Sequence, residues 1–321
     1  MQQELPSAVK NQEQIITTRG GKLHIPGGFL TPGFVTVATS LGNTYGVSEI
    51  EFTDPDTHKG YFSALQVPFM LFGTDDFNMA RPNRGWRYSP MQMLENAEDV
   101  DRATTETTDC IRHHIDGDLP GISHLCSVIG ELHDNVRAHA EGAGFSMAQL
   151  WRYMGQHDVI EFSVVDAGKG FLRECQRRAV PGVTDHESAI DWCLRREHST
   201  KDIDYEDFAQ QMPEDGIGNP LGGGPDVRPR HDGNHHQGLG LDQLMSLVRH
   251  YDGELWIASG DTLLHSTPRT RTDQEFGNYV AVPHWQGVAI ACRLKLSELG
   301  KDIREEPLAE DVQDILDDLL F

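Results

Sequence analysis

The sequence is short of cysteine, of basic residues and of long apolar runs, and each shortage excludes something. Five cysteines (Cys110, Cys126, Cys175, Cys193 and Cys292) are scattered over 321 residues without a CxxC pair. That excludes a zinc ribbon and argues against a disulfide framework, so reduced and mostly buried thiols are expected. No stretch approaches the roughly 20 apolar residues that span a bilayer. The opening MQQELPSAVKNQEQ has no apolar run behind a basic start, so no membrane contact and no secretory signal are expected, and the expected location is cytoplasmic. Lysine and arginine number 27 against 50 acidic residues, a net charge of −23. Such a surface repels nucleic-acid phosphates, and extensive DNA or RNA binding is not expected.

What is present reads as an ordinary globular chain, 38% hydrophobic and 24% charged, with a length that suits two domains. The first part alternates: a strand at 21–25, a helix within 29–46, a strand at 47–52, and an apolar stretch at 61–73 that Pro68 would bend. This predicts a small α/β unit over 1–85, followed by a Gly, Pro, Asn and Asp-rich connection at 73–90. The second part, 90–300, begins with a helical pattern at 91–115. A strong helix follows at 121–140, with Ile122, Leu125, Ile129, Leu132 and Val136 spaced by three and four. A strand at 159–165 ends in DAGKGF, and 183–212 reads as polar helix. The Gly, Pro and His-rich stretch 213–238 precedes a helix at 240–251, strands follow at 254–259 and 288–296, and 279–282 reads as either a third strand or an irregular extension. The tail 301–321 is acidic with a weak helical stripe.

Three motifs carry chemistry. Glu131 and Asn135 lie four apart on one helix face; a carboxamide oxygen suits a hard cation such as magnesium, and a carboxylate can orient or deprotonate a water. Asp166 stands at a strand end before Gly168 and Gly170, which permit close backbone approach to a ligand. Gly238, Leu239 and Gly240 precede a helix, whose first N–H groups can hold phosphate oxygens despite the negative net charge. Taken singly, each motif is better read as a solvated helix face or an ordinary turn. The dinucleotide fingerprint fails because position 243 is Gln, and no GK[ST] loop occurs. His231, His235 and His236 fit no zinc module, and Trp151, Trp192 and Trp256 read as packing residues.

The order of these pieces (ELHDN at 131–135, strand and DAGKG, long loop, GLG and helix, then DGELWIASG) resembles the ATP-binding domain shared by gyrase, the heat-shock chaperone, sensor histidine kinases and MutL. The resemblance covers about residues 110 to 297. It implies an α+β fold of the Bergerat type, a sandwich with helices on one face of a mixed sheet. It implies ATP and Mg2+ as cofactors, with Asn135 the metal ligand, Glu131 the general base and Asp166 the adenine acceptor. It also implies that Gly168, Gly170, Gly238, Leu239 and Gly240 line the nucleotide site, and that 198–237 is a lid in which Lys201 reaches a phosphate. Many members carry Gly-Thr where this chain has Gly287-Val288, so the hydroxyl contact to Asp166 is missing or taken by a water. The leading Glu131 favours magnesium-dependent ATP hydrolysis coupled to lid closure in a regulatory role. A serine kinase of the anti-sigma-factor type and an ATP-gated interaction module without turnover stand as alternatives. The first unit loosely resembles the small STAS-type domains that partner such kinases. A protein partner is implied, and the family commonly forms homodimers.

Overall fold

The computed structural model describes residues 2–16, 20–75, 77–113, 120–139, 142–153, 157–195, 240–272 and 274–299. The expected lid (198–237), the acidic tail, and with them Lys201, Gly238 and Leu239 lie outside these residues.

The chain opens with β1 (Gln2–Gln3), α1 (Leu5–Lys10), α2 (Gln12–Ile15), β2 (Lys22–Ile25) and β3 (Phe29–Leu30). Next come α3 (Pro32–Tyr45), β4 (Glu49–Phe52), α4 (Pro55–Ala64) and α5 (Val67–Phe72). β2 pairs in parallel with β4, and α3 is the crossover between them, so the alternation read from the sequence is a βαβ unit. The predicted bend at Pro68 is a full break. Gln66 takes a left-handed φ of 64°, and Pro68 sits in the first turn of a new helix, where its missing N–H costs nothing.

The second part contributes β5 (Gln92–Leu94), α6 (Ala97–Arg112), α7 (Pro120–His139), β6 (Gly144–Tyr153) and β7 (His157–Asp166). α8 (Gly170–Arg177), α9 (His186–Leu194), α10 (Gly240–His250), β8 (Glu254–Ser266) and β9 (Asn278–Lys295) complete it. The helical pattern expected at 91–115 starts later than the sequence suggests. β5 occupies its beginning, and the Asn96 side chain accepts from the Asp99 N–H at 3.0 Å to start α6. The strand expected at 288–296 and the stretch at 279–282, read as a strand or an irregular extension, are one continuous β9.

The five strands lie in the order β5-β6-β7-β9-β8. Every pairing among them is antiparallel, where a mixed sheet was expected. The chain is thus α+β, with one antiparallel sheet at its centre. α6, α7 and α10 cover one face: Val100, Leu125, Ile129, Leu132, Leu244 and Val248 pack with Ile160, Phe162, Ile257 and Ile290. The opposite face is also covered. Leu5, Phe34 and Val37 of the first unit share a core with Phe145, Met147, Val165, Trp256, Ala289 and Ala291. The first unit and the sheet are therefore joined by a common core as well as by the 73–90 connection.

A buried ion pair fixes that junction. Glu161 of β7 accepts from the Gly33 N–H at the start of α3 (2.9 Å) and from Arg293 Nε of β9 (2.9 Å). Arg293 reaches Glu4 at 2.7 Å and Glu254 at 3.2 Å, and its guanidinium lies 5.5 Å from the Trp151 ring and 4.8 Å from that of Trp256. Burial pushes the Glu161 carboxyl up, against the pull of Arg293 and the Gly33 N–H. Trp151 and Trp256 are packing residues, as expected.

Candidate functional site

Asp166 is the last residue of β7, and it is buried. Its Oδ1 accepts from the Gly168 N–H at 2.7 Å, an Asx-type turn that reverses the chain after the strand. Val288 of β9 has no hydroxyl to offer; its backbone N–H donates to the same carboxylate. Burial pushes the Asp166 carboxyl up to about 6, against the two N–H donors. Gly287 takes φ +91°, and a Cβ there would fall 2.6 Å from Asp166 Oδ1 and 2.6 Å from the Gly168 nitrogen, so only glycine fits.

The loop after Asp166 is pinned to the neighbouring strands. Ser259 Oγ of β8 accepts from the Phe171 N–H at 3.2 Å and donates to the Gly287 carbonyl at 2.9 Å. Gln286 Nε2 donates to the Ala167 carbonyl at 3.0 Å. Gly170 lies in the left-handed region (φ +71°) beside Ser259 Oγ and opens α8.

The second half of the site lies on α7. Glu131 and Asn135 are half-buried and meet the first residue of α10. A Cβ on Gly240 would stand 3.2 Å from Glu131 Oε2 and 3.4 Å from Asn135 Nδ2. The glycine start of α10 is thus seated directly against the carboxylate–carboxamide pair. His133, between them in sequence, points away from Gly240. It is fully buried and hydrogen-bonds Thr104 of α6 at 2.9 Å and Ser146 of β6 at 2.7 Å. Burial takes its pKa down to about 3, so the ring is neutral and acts as a polar rivet between α7, α6 and the sheet.

The two halves adjoin. Gly144 of β6 pairs with Asp166 across the sheet, and Val136, next to Asn135, packs directly on Gly144. Asp166 and Asn135 are therefore linked through one pair of touching residues. Of the residues picked from the sequence, Glu131, Asn135 and Gly240 come together, and Asp166, Gly168 and Gly170 form a single loop around a carboxylate. Gly144, Ser259, Gln286 and His133 were missed. Ser259 carried a sequence signal, a polar residue closing the apolar run LWIA at 255–258.

The chemistry on offer is a buried carboxylate at Asp166, a carboxylate–carboxamide pair on α7 and the start of α10 beside that pair. Asp166 offers a carboxylate oxygen to an exocyclic amine, and the start of α10 offers N–H groups and a favourable dipole to phosphates. Among the described residues, no group of three or more His, Cys, Asp or Glu side chains could hold a metal ion alone. A carboxamide oxygen such as that of Asn135 is the kind of ligand magnesium takes alongside phosphate and water oxygens. No protein-family model, curated protein or solved structure matches the chain.

Proposed function

We propose that this chain binds ATP with magnesium in a Bergerat-type site between α7, the Asp166 loop and the start of α10, as a histidine-kinase-like ATPase in a regulatory role. The observation that carries the reading is the seating of Gly240 against both Glu131 and Asn135, one residue pair away from Asp166. Two motifs far apart in sequence, the Glu131–Asn135 pair and Gly240, meet there, and Asp166 pairs with Gly144, on which Val136 packs.

In this reading Asp166 accepts the adenine amine, and Gly168 and Gly170 let the backbone pass close to the base. Gly240 presents its N–H to the phosphates; the resemblance adds Gly238, Leu239 and Lys201. Asn135 holds magnesium, which when bound neutralises phosphate charge. Glu131, a carboxylate on the same helix face, orients and deprotonates a water. The shared core on the second sheet face weakens the idea of a kinase carrying a loosely tethered partner domain.

Phosphate release from magnesium-ATP, wild type beside Glu131→Gln, tests the reading. Release by wild type alone is expected. Equal release from both contradicts the role of Glu131. Binding without release by either contradicts hydrolysis and leaves an ATP-gated module or transfer to a protein.

A further inference from the structure

A cleft of about 530 Å³ lies between α8, α9 and the bulge at which β8 and β9 shift register. Lys169, Leu172, Arg173 and Gln176 recur at three and four spacing and turn one face of α8 towards it. His186, the first residue of α9, lines a second side, and His284 and Trp285 of β9 line a third. Gly260 of β8 makes room for this arrangement. It takes φ +62°, and a Cβ there would overlap the His186 ring, so only glycine lets the imidazole seat against the strand. The His186 and His284 rings stand edge to face, with 5.8 Å between their centroids.

Two features mark this cleft as a ligand site. Its lining holds a lysine, an arginine and two histidines but no carboxylate, in a chain whose net charge is −23. A concave surface of one sign focuses the field and attracts the opposite charge. In addition, two of its buried nitrogens have no partner among the described residues: Nδ1 of His186, and Nε1–H of Trp285, a residue only 3% exposed. A buried donor without an acceptor is costly, and it points to a partner that the fold itself does not supply. Glu131, Asn135, Asp166 and Gly240 do not line the cleft, which adjoins the Asp166 loop through Gly168 and Gly287.

We propose that this cleft binds a small molecule bearing a phosphate group, at a site separate from that of the nucleotide. Lys169 and Arg173 meet the phosphate oxygens with charge-assisted hydrogen bonds, and His186 and His284 flank it from the other elements. Donors set on three sides suit a tetrahedral anion better than a planar carboxylate. The space is that of a small-molecule pocket rather than of one bare ion, and Leu172 and the Trp285 ring give it an apolar wall, so the ligand carries an organic body. The proposal does not depend on ATP binding.

The test titrates inorganic phosphate and phenyl phosphate into the full chain without nucleotide or magnesium, at an ionic strength held constant with chloride. The readout is the indole N–H resonance of Trp285, assigned from Trp285→Phe. Saturable displacement of that resonance is expected, with phenyl phosphate the tighter ligand. Lys169→Gln and Arg173→Gln should each weaken binding by about fivefold or more. Arg173 is exposed, so its variant should fold and keep the other indole resonances in place. Arg102→Gln, which removes the same charge from an exposed position on α6, should leave the affinity unchanged. No displacement by either ligand, the same displacement by chloride alone, or wild-type affinity in Arg173→Gln overturns the inference, whether or not the chain binds ATP. Phenyl phosphate binding no tighter than inorganic phosphate overturns the organic body.

Discussion

Gly287 lies so close to Asp166 that any side chain at 287 would displace the carboxylate: a Cβ there would come within 2.6 Å of Oδ1 at a backbone φ of +91°. Gly287→Ala should therefore damage the site in two ways, through left-handed strain and through displacement of Asp166. The expected loss of stability is about 1–3 kcal/mol, with nucleotide binding falling further than stability accounts for. Urea titration beside nucleotide titration checks both. A variant with unchanged affinity would place the nucleotide elsewhere.

Gly240→Ala gives the complementary case. Gly240 opens a helix, where alanine is favoured over glycine by up to about 1 kcal/mol. Its Cβ would nevertheless press on Glu131 at 3.2 Å and Asn135 at 3.4 Å, so those side chains must give by a few tenths of an ångström. The expected outcome is a thermal midpoint at or near that of wild type together with clearly weaker ATP binding. Unaltered binding would mean that the start of α10 does not touch the phosphates.

Much of the site was legible because its chemistry is carried by local patterns. The three-and-four spacing from Ile122 to Val136 marks α7, and with it the face bearing Glu131 and Asn135. The strand and DAGKGF mark the Asp166 loop. The central sheet was harder to read, for a physical reason: it is covered on both faces, so its strands lack the alternation that betrays a half-buried strand. β6 is buried at nearly every described position from Gly144 to Trp151 and shows no period of two. β8 is buried at all but one position between Leu255 and Leu264. β5, three residues long and followed at once by the Asn96 cap, leaves too short a signal to separate from α6.

Arg293→Met tests the junction between the first unit and the sheet. Removing the guanidinium leaves Glu161 buried and unpaired, so a loss of about 3–5 kcal/mol is expected by urea denaturation. Combining it with Glu161→Gln should cost less than the sum of the two single changes, because no buried charge remains. Strict additivity would mean that the two side chains do not interact.

His133 and Asp166 give opposite pH dependences. His133 has a folded pKa of about 3 against an ordinary 6.5. The unfolded chain therefore binds a proton that the folded chain refuses, and stability should fall as pH drops from about 6.5 towards 3. His133→Gln should lower stability overall and flatten that slope, read from urea midpoints across the range; an unchanged slope would contradict a neutral buried ring. Asp166 is raised from 3.8 to about 6, so its contribution is present below 3.8 and lost as pH rises through 6. Ligand binding runs the other way, because the amine needs the ionised carboxylate. ATP affinity should weaken as pH falls through about 6, and Asp166→Asn should remove that component.

The most direct test of the account is calorimetric titration of magnesium-ATP into the wild-type chain and into Asp166→Asn at neutral pH. The account predicts saturable binding by wild type and a loss of about 1–3 kcal/mol in the variant, roughly 5- to 150-fold in Kd. Equal affinity in the two proteins, or no binding by wild type, would contradict it.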